Sequence, residues 1–499
     1  MPTSEQRYSA YREKMQRIAD VRYASAVLQW DQETYLPPKS ARFRGQQIST
    51  LAELSHQLFS EDSLGDLLRE LSQDSELSPV QKRNVALTLE DYTKNKKYTP
   101  ALVRALSDAV NKAFHSWIEA RKQNSFAIYQ DDLEALVKLK KEEAGVLGYL
   151  QHPYDALLNE YEKGTTVALL DKTFGGLLPQ LKDLYEKILH RPQVDDSFLR
   201  QHFPASQQWD WGMELLKALH FNFETGRQDK SEHPFTTSFS AEDVRITTRI
   251  DENDFGNMTW SCIHELGHAL YEQGLPAGEY GLPLGEACSF SIHESQSRLW
   301  ENNVGRSKGF WQHWYPVVQR HFPQQFKDVS LDRFYKGINK VQPSLIRTEA
   351  DEISYHFHVS IRYELEKRLL EGSLHTADIP HYWNEQYKQL LDVDVPDDKQ
   401  GALQDVHWSH GSFGYFPTYS LGSLYAAQLF AHVRKSIKGL DEQISTGQTQ
   451  ELLAWLREKI HSKGRLFISE DLCKEVTGEP LNPDYFLAYA TEKYMSIYS

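Results

Sequence analysis

The sequence predicts a mostly α-helical protein with one small β element beside a metal-binding helix. Three observations carry this. Apolar residues recur at three- and four-residue spacing along many stretches, beginning with Tyr8, Tyr11, Met15 and Ile18. Period-two alternation appears between His233 and Ile250, where Val244, Ile246, Thr248 and Ile250 interleave with Arg245, Thr247 and Arg249. Fixed-period repeats, low-complexity tracts and long Pro/Gly/Ser-rich linkers are absent, so residues 1–499 read as a single large helical unit with two lobes.

Helical periodicity is expected over 101–122, 131–147, 205–219, 346–370 and 421–437. Between the third and fourth of these, the Thr- and Phe-rich segment reads as a β-hairpin that turns at Ser240–Asp243. A further helix follows over 257–272, closed by Gly274 as its C-cap and by Pro276 just beyond.

With 40% hydrophobic and 12% aromatic residues the chain has material for a large core, so disorder is not the default reading. The net charge of -15, with no basic run, excludes nucleic acid and anionic lipid as partners. No apolar stretch approaches the roughly 20 residues of a membrane span, and Met1–Ala10 lacks the apolar segment of a secretory signal. Cys262, Cys288 and Cys473 form no CxxC pair, which argues against disulfides and thiolate metal sites and points to a reducing, cytoplasmic setting.

The helix over 257–272 contains His264-Glu265-Leu266-Gly267-His268. Two histidines four apart share a helix face, so both imidazoles reach one ion at about 2.0–2.1 Å. Glu265 is too close to His264 to join it as a ligand, yet is placed to take a proton from a water activated there. Apolar neighbours such as Met258, Ile263, Leu266 and Leu270 imply burial, where two imidazoles and a carboxylate need compensation. A catalytic zinc site needs a third protein ligand; Glu294 is the first candidate and Glu286 the second.

Further marks are His233-Pro234-Phe235, Asp243-Val244-Arg245-Ile246-Thr247, His293-Glu294-Ser295-x-Ser297-Arg298, Ile346-Arg347-x-x-Ala350-Asp351 and Gly401-x-x-Gln404-Asp405-x-His407-Trp408. With the His264–His268 motif, in this order, they make the chain similar to the carboxypeptidase Taq family of metallocarboxypeptidases. The resemblance implies a clam- or saddle-shaped helical fold with a deep groove, and one Zn2+ held by His264, His268 and Glu294, with Co2+ as a possible substitute. It also implies a homodimer, peptide substrates with a free C-terminus, release of single residues with broad specificity, and poor action on proline. A dipeptidyl carboxypeptidase or oligopeptidase on the same scaffold is the alternative.

Other roles follow from chemistry and analogy. An oxyanion needs donors, and His410, Tyr415 and Tyr419 are the candidates, by analogy with helical zinc oligopeptidases. A terminal carboxylate suits an arginine fork: Arg347 first, with Arg245 and Arg249 as rivals. His407, Trp408 and Gln404 are taken as further substrate contacts, and Asp243, Gln404 and Asp405 as groups orienting the metal ligands. The hairpin offers an edge on which a substrate backbone adds as a strand.

Overall fold

The structure, a computed structural model, describes residues 2–499. Helices dominate it, as the sequence predicts, and a small three-stranded sheet joins them. Long helices form at Pro100–Gln123, Ala127–Leu147, Ala205–Ala218 and Pro417–Ser436. Local chemistry sets several starts: Thr99 caps the first through the Leu102 N–H, and proline occupies the first turn of that helix and of Pro417–Ser436, where its missing N–H costs nothing.

One expected helix is shorter than its periodicity suggests. Residues 346–370 are helical only from Tyr355, to Glu371. Upstream, the Asp351 carboxylate accepts the N–H groups of Ile353 and Ser354, turning the chain just before that helix. Arg347 is thereby left in a short 3-10 turn outside the helix.

The expected hairpin is present as strands β2, Thr236–Ser240, and β3, Asp243–Thr248, paired antiparallel. A strand not foreseen, β1, Gly226–Lys230, lies parallel to β3 on its other side, so β3 is central and β2 is an edge. Val244 and Ile246 of β3 are buried against the main core, and this fixes the sheet's register on the helix that follows.

The main core runs from Ala109 to the C-terminal helix. The N-terminal helices keep a second apolar cluster of their own, in which Tyr11, Met15 and Ile18 pack with Leu64, Leu68, Val85 and Tyr92. Among the described residues no helix is long and apolar enough to cross a membrane.

Candidate metal centre

The metal helix spans Phe255–Glu272 and opens on Asp254, whose side chain accepts the Gly256 N–H. Phe255, Met258, Ile263, Leu266 and Leu270 are buried, which fixes the helix's rotation and brings His264 and His268 out half-buried, one turn apart. The helix ends at Gln273 rather than through a left-handed glycine. Gly274 serves another need, since a Cβ there would lie 2.5 Å from His461 Nδ1.

A second helix, Phe290–Arg298, brings Glu294 to the histidines. Its Ser295 and Ser297 are buried, with hydroxyls that donate to the helix's own carbonyls at Ile292 and Glu294. Small side chains let the two helices touch: a Cβ on Gly267 would lie 2.5 Å from Ser297 Cα and 2.6 Å from the Gln296 carbonyl oxygen. Gly422 of Pro417–Ser436 does the same from the opposite side, where a Cβ would meet Glu294 Cβ at 2.5 Å.

Glu294 Oε2 lies 3.6 Å from His268 Nε2 and 3.9 Å from His264 Nε2, and the three ligand atoms are all within 4.8 Å of one another. A tetrahedral ion bonded at about 2.0–2.2 Å holds its ligand atoms roughly 3.3–3.6 Å apart, so this donor set fits a divalent metal with little adjustment. The other carboxylate oxygen, Oε1, accepts from Arg298 Nε at 2.8 Å. The pairing with Arg298 therefore leaves Oε2 free to face a metal. Glu286, the second candidate, is engaged elsewhere with Arg22 and Arg465.

The remaining imidazole nitrogens are also held. His264 Nδ1 meets Glu301 Oε2 at 2.9 Å, and Glu301 is further paired with Arg298 and Arg306. His268 Nδ1 lies 2.6 Å from His293 Nδ1. Burial alone lowers the pKa values of both His264 and His268. For His264 the carboxylates of Glu294 and Glu301 outweigh it and push the value up, whereas His268, facing His293, is driven well down. Glu265 is buried, which pushes its carboxyl pKa up, and its Oε2 accepts from Thr236 Oγ1 of β2 at 2.5 Å.

The loop before Pro417 forms the adjoining wall. His407 Nε2 lies 3.1 Å from Tyr419 Oη, and the Tyr415 and Tyr419 rings are 5.2 Å apart. Burial drives His407 to about 4, so this ring is neutral at pH 7. Arg347 donates from Nε to Asp405 at 3.0 Å and from Nη1 to Tyr355 at 3.1 Å, with the Tyr419 ring 4.9 Å from its guanidinium carbon. Tyr355 also lies under Arg298, at 4.6 Å, so one tyrosine links the ligand helix to Arg347.

Other expected residues are occupied differently. Arg347 pairs with Asp405, while Asp351 accepts from Ser354 Oγ. The Arg245 fork is taken by Asp243, with two bonds of 2.9 Å, and its face lies 4.3 Å from the Trp30 ring centroid, so the pair anchors the N-terminal helix to the sheet. Asp243 is therefore committed to Arg245, and Gln404 and Asp405 orient Arg347 and Arg362 in place of metal ligands. Gln404 also donates to Leu345 and Gln400, which uses its whole amide internally. Trp408 is buried and donates to Glu366. His410 is exposed and packs on Phe114, 5.0 Å between ring centroids.

Glu366 supports this loop from below, accepting from Trp408 Nε1 and the Gly414 N–H at 2.8 and 2.7 Å and from Tyr154. Burial outweighs these donors and raises its pKa from 4.5 to about 7. A raised carboxyl pKa means the folded chain holds its proton after the unfolded chain has lost it, so stability falls as pH rises from 4.5 to about 7. Glu366→Gln removes this ionisation. Melting temperatures of both proteins at pH 5 and pH 7.5 are expected to show a decline a few degrees smaller in the variant; equal declines would assign the pH dependence elsewhere.

Glu301, Arg298, Thr236 and Tyr355 lay outside the sequence-based candidates for the site's chemistry. For the first two a signal existed: Glu294, Arg298 and Glu301 stand at i, i+4 and i+7, one helical stripe. Thr236 and Tyr355 carry no comparable mark, because each reaches the site from an element whose position depends on tertiary packing.

A helical scaffold in which two histidines and a glutamate that could hold a metal converge beside a second, buried glutamate has the layout of a metallohydrolase. A family model described as Carboxypeptidase Taq (M32) metallopeptidase matches residues 10–494. Carboxypeptidase 1 of Bacillus subtilis (strain 168) is 37% identical over 488 residues, 97% of each chain. Thermostable carboxypeptidase 1 of Thermus thermophilus is 38% identical over 512 residues, covering 99% of this chain and 100% of the relative. Among solved structures, the M32 carboxypeptidase from Deinococcus radiodurans R1 matches with a TM-score of 0.97 at 36% identity over 99% of both chains. The chain belongs to the carboxypeptidase Taq (M32) family of metallopeptidases, and it is a metallocarboxypeptidase acting on peptides.

Proposed function

We propose that this protein is a zinc-dependent carboxypeptidase that releases single amino acids from the free C-terminus of peptides, with broad side-chain tolerance and poor action on proline. The observation that carries the reading is Glu265, buried beside the triad with one carboxylate oxygen fixed by Thr236 and the other available for proton transfer. His264, His268 and Glu294 would hold the ion, and two imidazoles with one carboxylate are a donor set of catalytic zinc, with cobalt able to take the same geometry. When bound, the ion supplies Lewis acidity to the scissile carbonyl and to the attacking water.

The chain's own residues do the rest. Glu265 takes the water's proton and delivers it to the leaving amine. Tyr415 and Tyr419 offer hydroxyl donors to the developing oxyanion, with His410 a third and more peripheral donor. Burial pushes the Tyr415 phenol up to about 12, so it stays protonated and able to donate.

Recognition of the terminus falls to Arg347. Its cluster holds two buried guanidiniums, Arg347 and Arg362, that share the single carboxylate of Asp405, while His407 is neutral. The surplus positive charge suits a substrate carboxylate, which would pair with the donors Arg347 has left. The edge of β2 would carry the substrate backbone as an added strand. A single helical catalytic domain, a homodimer and a reducing cytoplasmic location, in keeping with three free cysteines, complete the reading.

Digestion of one long peptide, followed by mass spectrometry with metal analysis of the same sample, tests the proposal. The expected result is stoichiometric zinc and a ladder shortened by one residue at a time from the C-terminal end; loss of dipeptides or internal cuts would favour a dipeptidyl carboxypeptidase or an oligopeptidase. Arg347→Ala is expected to lose about 10- to 100-fold in kcat/KM on peptides with a free terminus. Amidated peptides should show no comparable loss, and an equal loss on both would remove Arg347 from carboxylate recognition.

A further inference from the structure

We propose that His293 is a positioning residue for the metal ligand His268, fixing which of that ligand's nitrogens faces the ion as the middle member of a relay anchored on strand β2. The inference rests on the ligand set proposed above. His293 Nδ1 lies 2.6 Å from His268 Nδ1, His293 Nε2 lies 2.7 Å from Glu272 Oε1, and Glu272 Oε2 accepts from Ser238 Oγ at 2.7 Å. The run therefore passes from the metal helix to the glutamate helix, back to the metal helix one turn beyond His268, and out to β2.

Proton counting along this run leaves one arrangement. A ligand using Nε2 keeps its only proton on Nδ1, so His268 must be the donor toward His293. His293 Nδ1 must then accept, which confines the His293 proton to Nε2, where it is donated to the Glu272 carboxylate. Glu272 thus selects the tautomer of His293, and His293 in turn selects that of His268. Tyr271, with its ring 5.3 Å from that of His293 and tilted by 49°, adds a packing surface against the middle ring.

The two histidine ligands are consequently held by different means. His264 donates directly to a carboxylate, Glu301, whereas His268 donates to another imidazole with a carboxylate behind it. Ser238 and Thr236 stand two apart on β2 and reach the metal helix side by side, one touching Glu272 and the other Glu265. The edge strand proposed to carry substrate therefore also holds the relay and the base.

Substitutions at 293 that move the acceptor test this without relying on turnover. The asparagine carbonyl of His293→Asn sits where Nδ1 does, His293→Gln places its amide nearer the Nε2 position, and His293→Leu offers no acceptor. Zinc affinity measured by chelator competition, with the melting temperature of the metal-free protein alongside, is expected to fall about 10- to 100-fold in the Leu and Gln variants. It should stay within a few-fold of wild type in His293→Asn, at similar metal-free melting temperatures. Wild-type affinity in His293→Leu, or equal losses in the Asn and Gln variants, would overturn the relay. Unchanged zinc binding in His268→Leu would instead overturn the ligand assignment, and the relay with it.

Discussion

Glu265→Gln is expected to leave the divalent ion bound and to lower turnover by about 10²- to 10⁴-fold, the usual contribution of a positioned general base. The amide is nearly isosteric with the carboxylate and its carbonyl can still accept from Thr236 Oγ1, so the side chain keeps its place. The ability to hold a proton between water and leaving group is what disappears. Because Glu265 lies between the proposed ligands in sequence without being one, metal content should match wild type. Metal analysis and steady-state kinetics on one preparation check the result, and a fully active, metal-loaded variant would remove Glu265 from the proton path.

Gly267→Ala is expected to damage both the fold and the metal site. The new methyl group would lie 2.5 Å from Ser297 Cα and 2.6 Å from the Gln296 carbonyl oxygen, and these are backbone atoms that cannot swing aside. Relief requires the Glu294 helix to move away, and Gly422 blocks the other direction because Pro417–Ser436 already packs against Glu294. Overpacking of this kind costs about 1–3 kcal/mol or more. Whatever displacement the clash does force moves Glu294 relative to the histidines, so metal affinity is expected to drop at least about tenfold, within the range seen when a site's supporting contacts are lost. Gly278→Ala is the control, since nothing lies within 4 Å of a Cβ there. Melting curves and chelator competition on both variants decide the matter: Gly267→Ala with wild-type values would mean that the two helices tolerate separation.

Much of the site was legible in the sequence because its chemistry is local. His264 and His268 need only helical spacing to share a face, and the alternation in β3 marks a strand without outside help. β1 was not legible. Its Gly226–Lys230 segment is polar, and it becomes a strand by pairing with β3 rather than by hydrophobic alternation of its own. The reach of 346–370 was overestimated for a related reason: apolar periodicity continues upstream of Tyr355, but the Asp351 turn and the Arg347–Asp405 pair pull the chain out of the helix. Misassigned partners share a cause as well. Asp405 and Gln404 lie far from Arg347 and Arg362 in sequence, so short motifs give their membership in the site but not whom they hold.

The drawing of the proposed ligands from two separate helices has a thermodynamic consequence. An ion gripped by both binds the native chain and not the unfolded one, so the supply of free metal becomes part of what keeps the protein folded. Each tenfold rise in free ion above the dissociation constant adds about 1.4 kcal/mol to stability. In a metal-starved cell such a chain is open to proteolysis, and its abundance, not only its rate, follows the ion's availability.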